Sequence, residues 1–327
     1  MITMWNGYYE DVDLAFIKAI TNLHVGSGKS GEAVDLPIQR DSFGFPVIYA
    51  SSLKGAIKSY IYRKYNKDAA EVLLGPDEAG DFASPISITD AYLLAFPARS
   101  LKGVYCYLTC PFLLKRFKEY LEILGIKNEL QQIIKEFENL KENKGFCNDP
   151  SQLTIDSNNI LINEELLVPI EKSDYAEELR KKFNLDKELV IINDDDCLEQ
   201  ATRSLIRLTR VKLNRSAKTV EAGPWTEEYI PSKTLFFSMV FYSNIKKIIE
   251  YRIEYYNKKK RESNKQDEIL DFDKKINNLK DLNEKIKDGK PKNFFRENLG
   301  LLIIGGHETI GSGLVKINFF SEEQQTG

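Results

Sequence analysis

Leu23-His24-Val25-Gly26-Ser27-Gly28, then Val34-Asp35-Leu36-Pro37-Ile38-Gln39-Arg40-Asp41, then Gly44-Phe45-Pro46-Val47-Ile48 and Ser51-Ser52-Leu53-Lys54-Gly55 decide how the chain is read. Before them, residues 13–24 read as a strand. Leu14, Phe16 and Ile20 share one face, and Ala15, Ile17 and Ala19 the other, so both faces are expected to be covered. After them, Leu53, Ala56, Ile57, Tyr60 and Ile61 recur at helical spacing, with Ser51 or Ser52 as the expected N-cap and an end near residues 65–66. Between strand and helix about twenty residues lack periodicity, and connections of that length inside a compact domain are mostly functional or disordered.

Working outward, strands are predicted over 86–96 and 103–109, and a helix over 111–124 with Pro111 in its first turn. Residues 127–189 carry a weaker pattern, with a helix over 128–142 and a short strand over 159–163, and read as an insertion. Within the region 204–229, residues 204–213 form a strand, Asn214-Arg215-Ser216 a turn, and Lys218-Thr219-Val220 the start of the return, which makes a hairpin. A buried strand follows over 234–242. Residues 244–297 are densely charged with both signs mixed and read as a solvated helical insertion. Strands resume over 299–304 and 314–319 around the loop Gly305-Gly306-His307-Glu308-Thr309-Ile310-Gly311-Ser312-Gly313. Strands and helices mix without strict alternation, so the expected class is α+β, in one domain spanning 1–327.

Composition excludes several classes. The 327 residues are 42% hydrophobic and 29% charged, which fits a globular chain with a sizeable core rather than a fibrous or disordered one. No apolar run reaches the roughly 18 residues of a membrane helix, and residues 1–10 lack the pattern of a secretory signal, so a cytoplasmic protein with no membrane partner is expected. With 46 basic and 49 acidic residues the net charge is −3, which argues against a whole-surface polyanion binder but leaves room for a local basic groove. Cys106, Cys110, Cys147 and Cys197 contain no CxxC pair, and with two histidines no zinc spacing is present.

Individual motifs carry weak signals. Gly28-Lys29-Ser30 fails as a phosphate-binding P-loop, because the position five before Gly28 is Leu23 and no helix follows. Arg203, Arg207, Arg210, Lys212, Arg215 and Lys218 could lay a basic hairpin along a phosphate backbone, or simply guard an edge strand. Ser51, Ser52 and Lys54 at a helix start suit one phosphate, or a plain cap. His24 and His307 each precede a Gly-Ser-Gly, where exposed backbone beside a titratable ring suits ligand approach. Asp35 stands among Val34, Leu36 and Pro37, where a carboxylate needs a partner or a ligand. Together with Glu227 or Glu228 it could hold a divalent ion on a phosphodiester, or take a proton from a 2′-hydroxyl.

Taken together, the opening segments and the Gly305–Val315 ending resemble RAMP proteins of type III CRISPR effectors. Val34–Arg40 and Leu93–Thr109, with Phe96-Pro97-Ala98-Arg99-Ser100-Leu101-Lys102-Gly103, resemble more narrowly the repeated backbone subunit of the Cmr-type (type III-B) complex. The resemblance covers most of the chain, is weak over 127–189 and is absent over 244–297.

The resemblance implies a modified ferredoxin-like, RNA-recognition-motif core with a β-hairpin thumb at about 210–229 and helical insertions. It implies copies stacked head to tail on a guide (CRISPR) RNA beside other Cmr-type subunits. Each copy would cut a complementary target RNA next to a displaced nucleotide with a divalent cation, Mg2+ or Mn2+. The family's essential acid falls on Asp35, which would also anchor the metal, directly or through water. The accessory histidine falls on His24, the later acid and tyrosine on Glu227 and Tyr229, and the phosphate-contacting lysine on Lys54. Ser51, Ser52, Arg40, Arg210, Lys212, Arg215, Gly306, His307, Gly311 and Gly313 complete the expected RNA surface. A non-cleaving guide-RNA scaffold, or an endoribonuclease that processes precursor guide RNA, would share much of this pattern.

Overall fold

The structure, a computed structural model, describes residues 8–28, 34–77, 83–126, 129–138, 140, 144–156, 158–214 and 216–320. In chain order the first half runs β1 (Asp11–Ala19), β2 (Val47–Ile48), α1 (Ala50–Lys64), α2 (Lys67–Leu74), β3 (Ile86–Ile88), β4 (Ala91–Ser100), β5 (Val104–Thr109), α3 (Pro111–Ile123) and α4 (Glu129–Lys135). Then come β6 (Gly145–Cys147), β7 (Asn159–Ile162), β8 (Leu166–Lys172), α5 (Asp174–Lys182), β9 (Leu189–Ile191), α6 (Asp194–Arg203), β10 (Ile206–Leu213), β11 (Val220–Tyr229) and β12 (Leu235–Tyr242). The chain closes with α7 (Lys246–Glu262), α8 (Gln266–Lys285), α9 (Pro291–Asn298), β13 (Leu301–Ile303) and β14 (Leu314–Phe319).

The central strands lie in the order β14-β1-β12-β4, each antiparallel to its neighbour. With α1 between β1 and β4, and α9 between β12 and β14, this is the split βαβ arrangement of a ferredoxin-like core, strand order 4-1-3-2. Both crossover helices pack on one face: Leu53, Ile57, Ile61, Phe294 and Phe295 share a core with Ala15, Ile17 and Ala19. The other face of β1 joins a second core, with Leu14, Phe117 and Phe237. β1 is therefore buried on both sides, as its two apolar faces require. Its ladder ends at Ala19 rather than near residue 24; beyond it Leu23 and Gly26 make single bridges, to Ile230 and Ile38.

Everything from residue 101 to 234 lies between the second and third core strands. Over 127–189, β6, β8 and β7, with β9 beside them, extend the same sheet past β5. The charged stretch 244–297 divides in two. α7 and α8 form a helical pair docked on α2 through Arg252–Glu71 (2.8 Å) and Asn278–Asp68 (2.9 Å), whereas α9 belongs to the core. β10 and β11 form a separate two-stranded sheet, and most of their residues are exposed. All four cysteines are free and buried. No helix among the described residues is long and apolar enough to cross a membrane.

Candidate functional site

The long aperiodic connection is held in place by the base of the β10–β11 hairpin. Leu36 bridges Glu227 in parallel. Its N–H donates to Thr226 O (3.1 Å), and its carbonyl accepts from Glu228 N–H (3.0 Å). Asp35 is thereby carried to the end of that bridge. It is exposed, and its Oδ2 accepts the Thr226 N–H at 2.8 Å. One carboxylate oxygen is oriented by backbone, and the other remains available.

Glu228 organises the same spot. Its carboxylate, 3% exposed, accepts from Arg40 Nη2 (3.2 Å), Arg207 Nε (3.3 Å) and Ile38 N–H (3.4 Å). Its carbonyl pairs with His24 Nδ1 at 2.7 Å. A carbonyl only accepts, so the neutral ring carries its proton on Nδ1 and leaves Nε2 with a free lone pair. Gly26 keeps that nitrogen uncovered, since a Cβ there would lie 3.2 Å from it.

Glu227 is 1% exposed. Burial opposes its ionisation, but hydrogen bonds from Tyr229 (2.5 Å), Trp225 Nε1 (2.8 Å) and Arg210 Nε (2.6 Å), with His307 3.5 Å away, hold the carboxyl at about 2. Tyr229 is pushed up, by burial first and then by Glu227, and stays a neutral donor. It also accepts from Arg210 Nη2 at 2.9 Å. Glu227 and Tyr229 thus spend their polar atoms on each other and on their neighbours. Their geometry is that of groups which position His307 and β11.

The unfolded state binds a proton to Glu227 near its ordinary 4.5, the folded state only near 2. The stability this carboxylate contributes is full above 4.5 and lost as pH falls toward 2. Acid unfolding followed by circular dichroism between pH 5 and 2 is expected to be shallower for Glu227→Gln than for the parent chain.

The Gly305–Gly313 loop closes the other side. His24 O accepts the Gly306 N–H at 2.9 Å. The His24 and His307 rings lie 5.0 Å apart, and the His24 and Tyr229 rings 5.3 Å. Gly305 has φ +86°, and a Cβ there would collide with the His24 carbonyl. Gly305→Ala is therefore expected to cost about 1–3 kcal/mol in urea unfolding, more than Gly311→Ala, where φ is +83° but the space is open.

Arg40 and Arg210 are paired with buried carboxylates, so their charges are largely spent inside the fold. Lys212 is exposed and pairs with Glu221 (2.9 Å). The serines do not cap α1. Tyr49 is the N-cap, and the Ala50 N–H donates to Asp90 (2.7 Å). Gln39 reaches the same end, accepting from Tyr49 N–H (2.7 Å) and donating to Ser52 Oγ (2.9 Å). Ser51 is exposed. Lys54 meets no carboxylate among the described residues, and burial, then Lys58, lowers its pKa. A groove of about 530 Å³ lies between α1 and β13–β14, lined by Ser52, Gly55, Ser59, Arg63, Gly305 and Glu308. Arg215, like Lys29 and Ser30, lies outside the described residues.

Sequence reasoning passed over Gln39 and Trp225, and weighed Glu228 only as a partner of Asp35, whereas its carboxylate is spent on Arg40, Arg207 and the Ile38 N–H. One signal was present: adjacent acids on a strand point to opposite faces, and each needs a cation if both are buried.

Among the described residues no group of three or more His, Cys, Asp or Glu side chains converges to hold a metal ion. Asp35, with one oxygen already on Thr226 N–H, offers a single anchor where a hard divalent ion takes about six oxygens. These residues do not build a metal site by themselves.

The RAMP superfamily sequence model matches residues 16–316. The CRISPR system CMR subunit Cmr4 of Saccharolobus solfataricus is 38% identical over 265 residues, covering 71% of this chain and 84% of the relative. The CRISPR system Cmr endoribonuclease Cmr4 of Pyrococcus furiosus is 33% identical over 324 residues, covering 93% and 94%. Among solved structures, a chain of the type III-B Cmr-beta complex bound to cognate target RNA superposes with a TM-score of 0.71 at 33% identity, covering 95% of this chain and 98% of that one. The split βαβ core, the projecting hairpin and these matches together place the chain in the RAMP superfamily, among the Cmr4 backbone subunits of type III-B CRISPR complexes.

Proposed function

We propose that this chain is the repeated backbone subunit of a cytoplasmic type III-B complex, and that it binds guide RNA and cleaves complementary target RNA. One observation carries the reading: the exposed Asp35 carboxylate is pinned by Thr226 N–H at the foot of a projecting hairpin. Strands fixed by the hairpin and by the first turn of α1 would pass that oxygen. The groove along α1 is short, so each copy holds only a few nucleotides. A chain with net charge −3 can bind RNA on those terms when several copies and other Cmr-type subunits share one guide.

The reaction needs little from the protein beyond geometry. The target's 2′-hydroxyl attacks the adjacent phosphorus, its proton passes to Asp35, and the bond to the 5′-oxygen breaks, with solvent protonating the leaving oxygen. The fragments carry a 2′,3′-cyclic phosphate and a 5′-hydroxyl. A distorted backbone at a displaced nucleotide favours the in-line approach. His24 Nε2, unprotonated in the neutral ring, can accept a hydrogen bond from the same hydroxyl.

The proposal includes dependence on Mg2+ or Mn2+, held chiefly by RNA phosphates with Asp35 as the one protein anchor. Chelation in the assembled complex is expected to stop cleavage while RNA stays bound. A regular ladder of fragments from a matched RNA, at the spacing of the copies, is the expected product. Intact target after incubation with divalent ion would overturn the reading.

A further inference from the structure

We propose a second RNA-contacting site on the sheet face that carries the second core, one that takes a nucleotide of single-stranded RNA with its phosphate on lysines and its base on an aromatic floor. A pocket of about 420 Å³ lies where β1 and β14 meet the end of α5, with Lys18, Lys181, Lys182 and Lys316 around it. Phe16 and Phe320 form part of its wall, their rings 6.2 Å apart. It shares no lining residue with the groove beside Gly305.

The lysines are arranged against their own stability. Lys18 and Lys316 are direct cross-strand partners in the β1–β14 ladder, and like charges in that register repel. Among the described residues compensation is weak, beginning with Lys18 Nζ on the Asn184 carbonyl at 3.5 Å. Lys18 reaches Asp186 at 3.5 Å, but that carboxylate is already held by Lys233 (2.6 Å), Tyr107 (2.6 Å) and Tyr105 (2.9 Å). Lys181 reaches Glu177 at 3.5 Å, where Arg180 already makes two bonds of 2.7 and 2.8 Å. Lys182 and Lys316 meet no carboxylate among the described residues.

Cations in the last turn of α5 suit its helix dipole, which accounts for Lys181 and Lys182. The dipole does not account for the facing pair on the strands. A bound anion does, because it turns the repulsion into shared attraction. Lysine serves phosphate as a point charge, and aromatic walls beside such charges are how sequence-tolerant single-strand sites hold bases. Phe16 and Phe320 are packed against the second core and only partly buried by it; an acidic protein segment would satisfy the charges, whereas a nucleotide also covers the ring surface left open to the pocket.

The inference does not depend on the cleavage reading. The test measures binding of the full chain to an uncomplemented 12-nucleotide RNA as a function of salt, for the parent, Lys182→Gln/Lys316→Gln and Lys54→Gln. The double variant is expected to reduce the slope of log affinity against log salt by about 0.7, the share of the one phosphate no longer neutralised, also in the Lys54→Gln background. Lys316→Gln alone is expected to raise the melting temperature of the RNA-free protein, since it relieves the cross-strand repulsion. An unchanged slope overturns the proposal. So does a slope that falls only because Lys316→Gln has lowered the melting temperature and loosened the fold. An unchanged slope with weakened self-association would assign the pocket to a protein partner and equally overturn it.

Discussion

Asp35→Asn, assembled with guide RNA and the other subunits, is expected to bind matched target normally and cut it about 10²–10⁴-fold more slowly, the usual worth of a positioned general base. The substitution keeps the side chain's shape and an oxygen that can accept the Thr226 N–H, now 2.8 Å from Oδ2. What it removes is the basic oxygen. Binding should survive because Lys54, the first turn of α1 and the glycine loop are untouched. Denaturing gels for fragments and gel shifts for affinity separate the two quantities. Unchanged fragmentation would leave a subunit that scaffolds RNA without cutting it.

Glu228→Ala is expected to be the most damaging single change at the site for folding. The carboxylate is almost fully enclosed and receives Arg40, Arg207 and the Ile38 N–H. Removing one member of a buried ion pair costs about 3–5 kcal/mol; because Arg40 and Arg207 can turn to solvent, about 2–3 kcal/mol is expected here. Glu228→Gln keeps an acceptor for Ile38 and should cost less. In both variants Leu36 and Ile38 amides should exchange faster, and cleavage should fall more than RNA retention, because the loop that carries Asp35 is released. Slowed cleavage with unchanged exchange at these amides would mean that Glu228 acts on the RNA directly.

The sequence made the local elements legible where periodicity ruled. The α1 face of Leu53, Ile57 and Ile61 and the wholly buried β12 follow from apolar spacing alone. The 4-1-3-2 strand order did not, because β12 follows β4 only after more than a hundred intervening residues. α9 was hidden for a related reason: its core contribution is Phe294 and Phe295 inside a stretch dominated by charge.

At the site, residue types were legible and pairings were not. Asp35 and Thr226 are 191 residues apart. Arg40 and Arg210 resemble free cations until their buried acids are located. Glu227 and Glu228 should alternate in and out on a strand, yet both are buried, because Leu36–Arg40 cover the face that would otherwise be open. Ser51 and Ser52 looked like caps, but Asp90 and Gln39 reach that helix end from elsewhere in the fold.

The most direct measurement is a structure of the Asp35→Asn chain assembled on guide RNA with uncut, matched target. The side chain at position 35 is expected roughly 3 Å from the 2′-hydroxyl beside a displaced nucleotide, with the guide backbone on Lys54 and the hairpin between strands. A scissile phosphate held away from residue 35, with that side chain facing solvent, would contradict it.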